Sequence, residues 1–421
     1  MTASPPHTTS PTSTSPQILT TRTMNSITFN QDNSCISIGT DQYQKIFNVE
    51  PFGEIYSDDI PTVFIKILFS TSLTIVIPKE KDNRILKIHN LKQKLKICEL
   101  IFPSTIIDVK VNKKRLLVAL DIGQLYIYDL SCVKLMKIIE LKKGFIGDLS
   151  NDDNSLLVIP MSLIPDNNDI FKGVNIESLI KFDTHKSTQN YDGYVLVFDT
   201  INLKPVLIMK CHSSKLKKIV ISQNLIATAS VKGTIIRVFH LSFNDNGDIK
   251  LFKIQNLRRG RNFSNIHFLK FNNDNSILSC GSESTIHFFK LNDIETEIAP
   301  ESDDNEEEDV ESSKSSDDLN ENLANLLISK PVEDKSQYSF SKKIINSDYT
   351  KKLFKKLPYK EYLNNLILEP PKRSFSYIKI HERVEIGFID DLILVVTYSG
   401  NYYQYKFRHK QCEMVNKFIV K

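Results

Sequence analysis

Two adjacent arginines followed by a glycine, Leu257-Arg258-Arg259-Gly260, are the residues of this chain best suited to binding chemistry. A guanidinium presents a planar fork of donors that matches phosphate oxygens. The run Gln255 to Gly260 reads as a strand end. Successive residues on a strand point to opposite sides, so the two arginines are predicted to serve two flanking pockets rather than one. Gly260 permits a turn or a close approach where the strand stops. Residues able to complete the pockets lie on either side in sequence: His212 and the run Ala227 to Thr234, with Ser230 and Thr234, come before the arginines, and Ser264, Thr285 and His287 come after. Hydroxyls, a histidine and an arginine converging on each side would make a site for a polyphosphorylated headgroup. The other use of His212, Ser230 and Thr234 is a hydrogen-bond network that holds structural repeats together.

No catalytic pattern competes with this one. The chain has no Walker-type loop, GxGxxG, GxSxG or HExxH, and its 13 glycines are scattered among turns, so no enzyme and no cofactor is expected. The six cysteines, Cys35, Cys98, Cys132, Cys211, Cys280 and Cys412, form no CxxC pair and have no histidines at zinc spacing, so no metal is expected and a reducing compartment is. With 54 Lys+Arg against 50 Asp+Glu, a net charge of +4 is too mild to imply nucleic-acid binding. The longest apolar stretch, Val63 to Ile77, is broken by Lys66, Ser70, Thr71, Ser72 and Thr74 and falls short of the roughly 20 residues that a membrane span requires.

The elements that must position the arginines are short β-rich runs separated by polar turns, such as Leu116 to Leu120, Thr234 to Phe239 and Leu392 to Val396. A phrase recurs: FNQDNSCISIG at Phe29 to Gly39, LSNDDNSLLVI at Leu149 to Ile159, and FNNDNSILSCG at Phe271 to Gly281. Each is a strand end, an Asn/Asp turn and a following apolar strand. Further strands rich in aromatic and β-branched residues are predicted at Tyr43 to Asn48, Leu125 to Asp129, Tyr194 to Asp199, Thr234 to His240, Thr285 to Leu291 and Tyr402 to Phe407. Strand groups recurring at about 40 residues predict an all-β propeller, whose blades need neighbours to bury their faces. Starts near Asn25, Thr62, Ser104, Lys142, His212, Arg258 and His381 give about seven blades across residues 25–421, with a long and degenerate fourth unit around Asn167 to Asp192. Residues 1–24, rich in Ser, Thr and Pro, are expected to form a disordered tail.

One insertion, residues 293–373, breaks the rhythm in the sixth blade. Its first part, 295–318, is strongly acidic and is expected to be disordered. Its second part, 341–373, reverses sign. On a helix Tyr349, Leu353, Phe354 and Leu357 share one face and Lys351, Lys352, Lys355 and Lys356 the other; after Pro358 a second apolar stripe includes Tyr362 and Leu363. A lysine face opposite aromatic residues suits the interfacial plane of an anionic membrane; packing of the stripe against the propeller's side is the alternative.

These features together resemble the PROPPIN family, WD40-like seven-bladed propellers that bind phosphatidylinositol 3-phosphate and the 3,5-bisphosphate in autophagy and endolysosomal traffic. The likeness rests on Leu257-Arg258-Arg259-Gly260, on FNQDNSCISIGT, on IFNVEPFG at Ile46 to Gly53, on LFSTSL at Leu68 to Leu73 and on ATASVKGTIIRVF at Ala227 to Phe239. It implies two headgroup sites, one using Arg258 with His212, Ser230 and Thr234, the other Arg259 with Ser264, Thr285 and His287, and it implies that the insertion is a membrane-inserting loop. Where many relatives have Ser-Ser-Asp-x-Gly-Thr, this chain has Cys280-Gly281-Ser282-Glu283-Ser284-Thr285, which leaves the second site with fewer hydroxyls. The segments Lys96 to Leu120 and Ser339 to Ile344 are similar to the fungal cytoplasm-to-vacuole and autophagy branch. That branch implies a coiled-coil partner from the ubiquitin-like lipid-conjugation machinery, docked near Lys113, Lys114 and Arg115, and residence on preautophagosomal, vacuolar and endosomal membranes. A sister branch acting with a lipid-transfer protein, and a scaffold that binds only proteins, are the alternatives.

Overall fold

The second strand of each repeat is almost wholly apolar or small: Cys35–Thr40, Leu73–Pro78, Arg115–Leu120, Leu156–Pro160, Leu225–Ser230, Ile277–Gly281 and Leu392–Thr397. Four of them, Cys35–Thr40, Arg115–Leu120, Leu156–Pro160 and Leu225–Ser230, are buried along their whole length. A strand buried on both faces must lie inside a sheet that is itself packed on both sides. A computed structural model describing residues 24–181, 191–243, 249–291, 371–408 and 410–420 has that arrangement. Residues 1–23 of the expected tail, most of the insertion and the residues Tyr349, Lys351, Lys352, Leu353, Phe354, Lys355, Lys356, Leu357, Tyr362 and Leu363 lie outside the described residues, whereas Met24, expected to end the tail, is buried at the start of the first strand.

The described strands form seven antiparallel meanders of four strands, the blades of a β-propeller. Blades 1 to 3 begin at Met24, Thr62 and Ile106, and blade 4 at Asp148. Blade 5 comprises Leu216–Ser222, Leu225–Ser230, Ile235–Phe243 and Ile249–Arg258; blade 6 begins at Phe268 and blade 7 at Val384. Five of these starts fall within four residues of the sequence expectation, and blade 4 begins six residues after the expected Lys142. The sixth was expected at Arg258, but the ladder of blade 5 runs on to pair Arg258 with Ile235, and the chain then crosses to Phe268 without a strand. In the degenerate fourth unit the first strand shrinks to Asp148–Leu149, and two short 3-10 turns and the helix Ile176–Leu179 fill the space before Tyr194–Asp199.

The sheets are held by side chains rather than by shared strands. One apolar cluster fills each junction, for example Leu157, Leu196 and Phe198 with Leu117 and Ile127 between blades 3 and 4. Another joins Met24, Ile36 and Phe47 of blade 1 to Leu394, Val396 and Tyr402 of blade 7. Blades 1 and 7 are each built from contiguous chain, so no strand is exchanged where the ring closes. The recurring phrase makes the tight turns between first and second strands. Asp32 and Asp274 accept from the backbone N–H groups of Ser34 and Ser276, while Asn33 and Asn275 take the left-handed conformation that asparagine tolerates.

Blade 6 is divided by the insertion. Its third strand ends at Lys290 and its fourth is Ser376–Lys379, within the expected run Ser374 to Ile380. Just before that strand, Lys372–Arg373 pairs in parallel with the end of blade 5, Leu257 to Lys372 and Arg258 to Arg373. The returning chain therefore brings a third arginine beside the pair.

Candidate functional site on blade 5

The outer strand of blade 5 sorts its side chains by alternation. Ile254 is buried in the cluster shared with blade 4, and Leu257 in the cluster shared with blade 6. Counting by two, Asn256 and Arg258 belong to the blade-4 side, while Arg259 continues the blade-6 side. Both arginines are half-buried. The strand thus delivers two guanidiniums to opposite flanks of a single edge.

On the blade-4 side, His212 is buried and its Nε2 hydrogen-bonds with the Thr228 hydroxyl at 3.0 Å and the Thr228 carbonyl at 3.3 Å. Burial, with the nearby Arg237 guanidinium, holds His212 well below the usual histidine range, so it is neutral. Ser230 is buried on the same face of its strand, two residues beyond Thr228. Arg237 pairs across the ladder with Thr228 and with Asn256, whose Oδ1 accepts from Arg237 Nε at 3.1 Å, and Arg237 also donates to the Cys211 carbonyl. Arg237, Thr228 and Asn256 were not singled out from the sequence. Stepping back two residues from Arg258 and across one ladder rung identifies them.

On the blade-6 side, Arg259 Nε donates to the Gly233 carbonyl at 2.8 Å and Nη2 donates to the Asn262 carbonyl. Its backbone N–H donates to the Thr234 carbonyl at 2.9 Å, so Thr234 sits against the Arg259 backbone. Ser264 is half-buried, its N–H donating to the Lys232 carbonyl at 3.4 Å in the same loop contact. His287 faces this group: burial first, then the Arg259 charge, pushes it down to about 4. Its Nδ1 lies 3.3 Å from the Ser374 hydroxyl, contributed from 87 residues further along the chain. Cys280 pairs with His287 across the ladder, and burial pushes its thiol up to about 12. Thr285 is half-buried, and its carbonyl accepts from Ser282. Among the described residues no cluster of His, Cys, Asp or Glu could hold a metal, and no helix is long and apolar enough to cross a membrane.

The chain as a whole has counterparts among known proteins. The family model described as PROPPIN matches residues 23–191. Autophagy-related protein 21 of Candida albicans is 42% identical over 94% of this chain and 99% of its own length. The chain belongs to the PROPPIN family. A second PROPPIN relative, Autophagy-related protein 18 of Kluyveromyces lactis, is 34% identical over 85% of this chain and 82% of its own. Among solved structures, the complex of KlAtg21 with the coiled coil of AgAtg16 aligns with a TM-score of 0.62 and 28% identity, covering 95% of this chain and 100% of that one.

The three basic residues on blade 3 of this PROPPIN differ in what they leave to a partner. Arg115 is buried, donating to the Thr200 carbonyl at 2.9 Å and pairing with Asp129 at 2.8 Å. Lys113 and Lys114 are exposed; Lys113 Nζ stands 5.0 Å from the Phe69 ring centroid, and Lys114 Nζ donates to the Asp153 carbonyl at 2.9 Å. Arg115 is therefore a structural clamp between blades 3 and 4, and the two lysines form the surface.

Proposed function

We propose that this protein is a non-enzymatic peripheral membrane protein that binds phosphatidylinositol 3-phosphate and phosphatidylinositol 3,5-bisphosphate. In this reading it recruits autophagy and cytoplasm-to-vacuole machinery, including the ubiquitin-like lipid-conjugation system, to preautophagosomal, vacuolar and endosomal membranes from the cytoplasm. The observation that carries the reading is the placement of Arg258 and Arg259 on opposite flanks of one strand end, Arg258 on the face of the sheet that carries Thr228 and Ser230 and Arg259 within electrostatic reach of His287. Two modest headgroup contacts on one rigid rim engage the same membrane at high effective concentration, so avidity replaces affinity. The basic run with Lys351, Lys352, Lys355 and Lys356 adds attraction to an anionic leaflet, on the order of 1 kcal/mol per lysine. Lys113 and Lys114 are the surface to which a coiled-coil partner would dock, in keeping with the coiled coil bound to KlAtg21.

Flotation with liposomes containing phosphatidylinositol 3-phosphate tests this directly. The Arg258→Thr, Arg259→Thr double variant should lose headgroup-dependent flotation while it keeps weak, salt-sensitive binding to anionic lipid through the basic run. Equal flotation of wild type and variant would leave a protein-only scaffold as the reading.

A further inference from the structure

Phe263 is the most exposed large apolar side chain among the described residues, at 76%, and Val231 is 52% exposed. Single apolar residues on a surface need no explanation. These two are placed together, at the end of blade 5 that carries Arg258 and Arg259. Val231 lies in the turn between Leu225–Ser230 and Ile235–Phe243, and Phe263 in the connection from Ile249–Arg258 to the first strand of blade 6. In an antiparallel meander the turn after the second strand and the exit from the fourth emerge at the same end, and the pairing of Ile235 with Arg258 fixes that end here.

The two loops are fastened to each other through the arginine site. The Gly233 N–H donates to the Ser230 carbonyl at 3.0 Å, closing a turn with Val231 and Lys232 at its corners. The Lys232 carbonyl accepts from the Ser264 N–H at 3.4 Å. The Arg259 guanidinium spans both loops, with Nε donating to the Gly233 carbonyl at 2.8 Å and Nη2 to the Asn262 carbonyl. Phe263 is therefore pinned at the residue before it and at the residue after it, and Ile266 already fills the apolar cluster between blades 5 and 6. A backbone held on both sides keeps the Phe263 ring in solvent, where it gains by transfer to any apolar phase that reaches it.

The surroundings select that phase. Lys215, Lys232, Arg261 and Arg373 are exposed. The Lys215 carbonyl accepts from the Val231 N–H at 2.9 Å, and Arg373 pairs with Arg258, so these cations stand around the two loops; Glu283, whose charge reaches Arg259, opposes them. Apolar and aromatic side chains ringed by lysine and arginine suit an anionic bilayer, the cations among the phosphates and the apolar groups buried about 5–10 Å into the headgroup and acyl boundary. The guanidinium that would take a lipid phosphate is itself hydrogen-bonded to the loops that carry Val231 and Phe263. A lipid held there sets the bilayer surface against both.

We propose that Phe263 and Val231 form a lipid-inserting wedge on blade 5, which enters the boundary of an anionic membrane beside the headgroup held at Arg259. The wedge rests on the reading of the blade-5 arginines as headgroup ligands, and it belongs to the propeller itself rather than to the insertion in blade 6.

The chain has no tryptophan, so Phe263→Trp places a single indole at the tip of the wedge. With the full chain on vesicles of phosphatidylcholine, phosphatidylserine and phosphatidylinositol 3-phosphate, its emission should shift to the blue and be quenched by acyl-brominated lipid, whereas soluble inositol 1,3-bisphosphate should leave it unshifted. Phe263→Ser should weaken binding to the same vesicles about tenfold and Val231→Ser about threefold, with affinity for the soluble headgroup unchanged and Phe263→Leu close to wild type. Both side chains are exposed, so the thermal midpoint should not move. An indole that stays in water on vesicle-bound protein overturns the proposal. So does a Phe263→Ser variant that binds vesicles like wild type, or one that loses the soluble headgroup as much as the vesicles, which would make Phe263 a support for Arg259 alone. A blue shift that grows with protein concentration in the absence of vesicles would assign the patch to a second copy of the chain and overturn the proposal as well. The headgroup reading stands or falls separately: wild type that ignores the soluble headgroup, with the indole still entering phosphatidylserine vesicles, sinks that reading and keeps the wedge.

Discussion

At the scale of single residues, Arg259 and His287 form a coupled pair with a pH signature. His287 is held down at about 4 by burial and by Arg259, so the empty site carries a neutral imidazole throughout the physiological range. A phosphate arriving between them cancels part of the arginine's repulsion and favours the imidazolium, raising the histidine's pKa in the complex. The complex then holds more protons than the free protein wherever pH lies below or near that raised value, so affinity must increase as pH falls. Titration of soluble headgroup into the Arg258→Thr variant should therefore show tighter binding near pH 5 than near pH 7, by about twofold if the histidine rises by one unit from about 4 and about tenfold if it rises by two. His287→Ala should flatten that slope. A slope that survives the alanine would assign the effect to the phosphate's own ionisation. His212 gives no comparable signature, being buried beside Arg237 and engaged with Thr228.

At the scale of elements, a glycine sets the distance between the loops that hold Arg259. Gly233 has φ of +62°, and a Cβ there would lie 2.1 Å from the Ser264 carbonyl. The same Gly233 carbonyl accepts from Arg259 Nε. Gly233→Ala should cost about 2 kcal/mol or more of stability, from left-handed strain together with the clash, and should weaken headgroup binding in an Arg258→Thr background more than in an Arg259→Thr background. Thermal melts and headgroup titrations of the two double variants check this; equal weakening in both would mean that the turn acts on the fold alone. The opposed placement of Arg258 and Arg259 was legible in the sequence because strand alternation is a local rule that two adjacent residues cannot evade. The blade count was legible because the Asn/Asp phrase repeats. What was not legible depends on long-range pairing. Ser374 reaches His287 only because the chain returns after the insertion, and Arg373 joins Arg258 only through a parallel bridge. Lys66 shows the limit most clearly: in sequence it merely interrupts an apolar stretch, and only the closed ring brings it within electrostatic reach of Lys110, Asp108, Asp148 and Glu385 from three other blades.

At the scale of the whole molecule, the ring closes between blades 1 and 7 without an exchanged strand, so its integrity there rests on side-chain packing. The centre of that packing is aromatic. Tyr402 of blade 7 is fully buried, with its ring 5.2 Å from Phe52 and 5.5 Å from Phe418, and Phe52 stacks on Phe47 of blade 1 at 5.6 Å. The Tyr402 hydroxyl accepts from Gln404 Nε2 at 2.8 Å, so the ring is fixed in polar as well as apolar terms. Truncation of a fully buried aromatic side chain costs about 3–5 kcal/mol. Phe198→Ala, at the junction of blades 3 and 4, should cost a similar amount, because Phe198 is equally buried. The two should nevertheless differ in how stability is lost. Blades 3 and 4 are joined covalently by a short connection, whereas blades 1 and 7 are the ends of the ring, so a weakened seam at Tyr402 can open without breaking any other junction. Hydrogen exchange under native conditions should then show early loss of protection in Met24–Phe29 and Val384–Ile389, the innermost strands of the two end blades, in Tyr402→Ala. Phe198→Ala should show no such selectivity. Uniform loss of protection in both variants would mean that the seam is as cooperative as the other six junctions, and that the propeller unfolds as one unit even where no strand crosses the join.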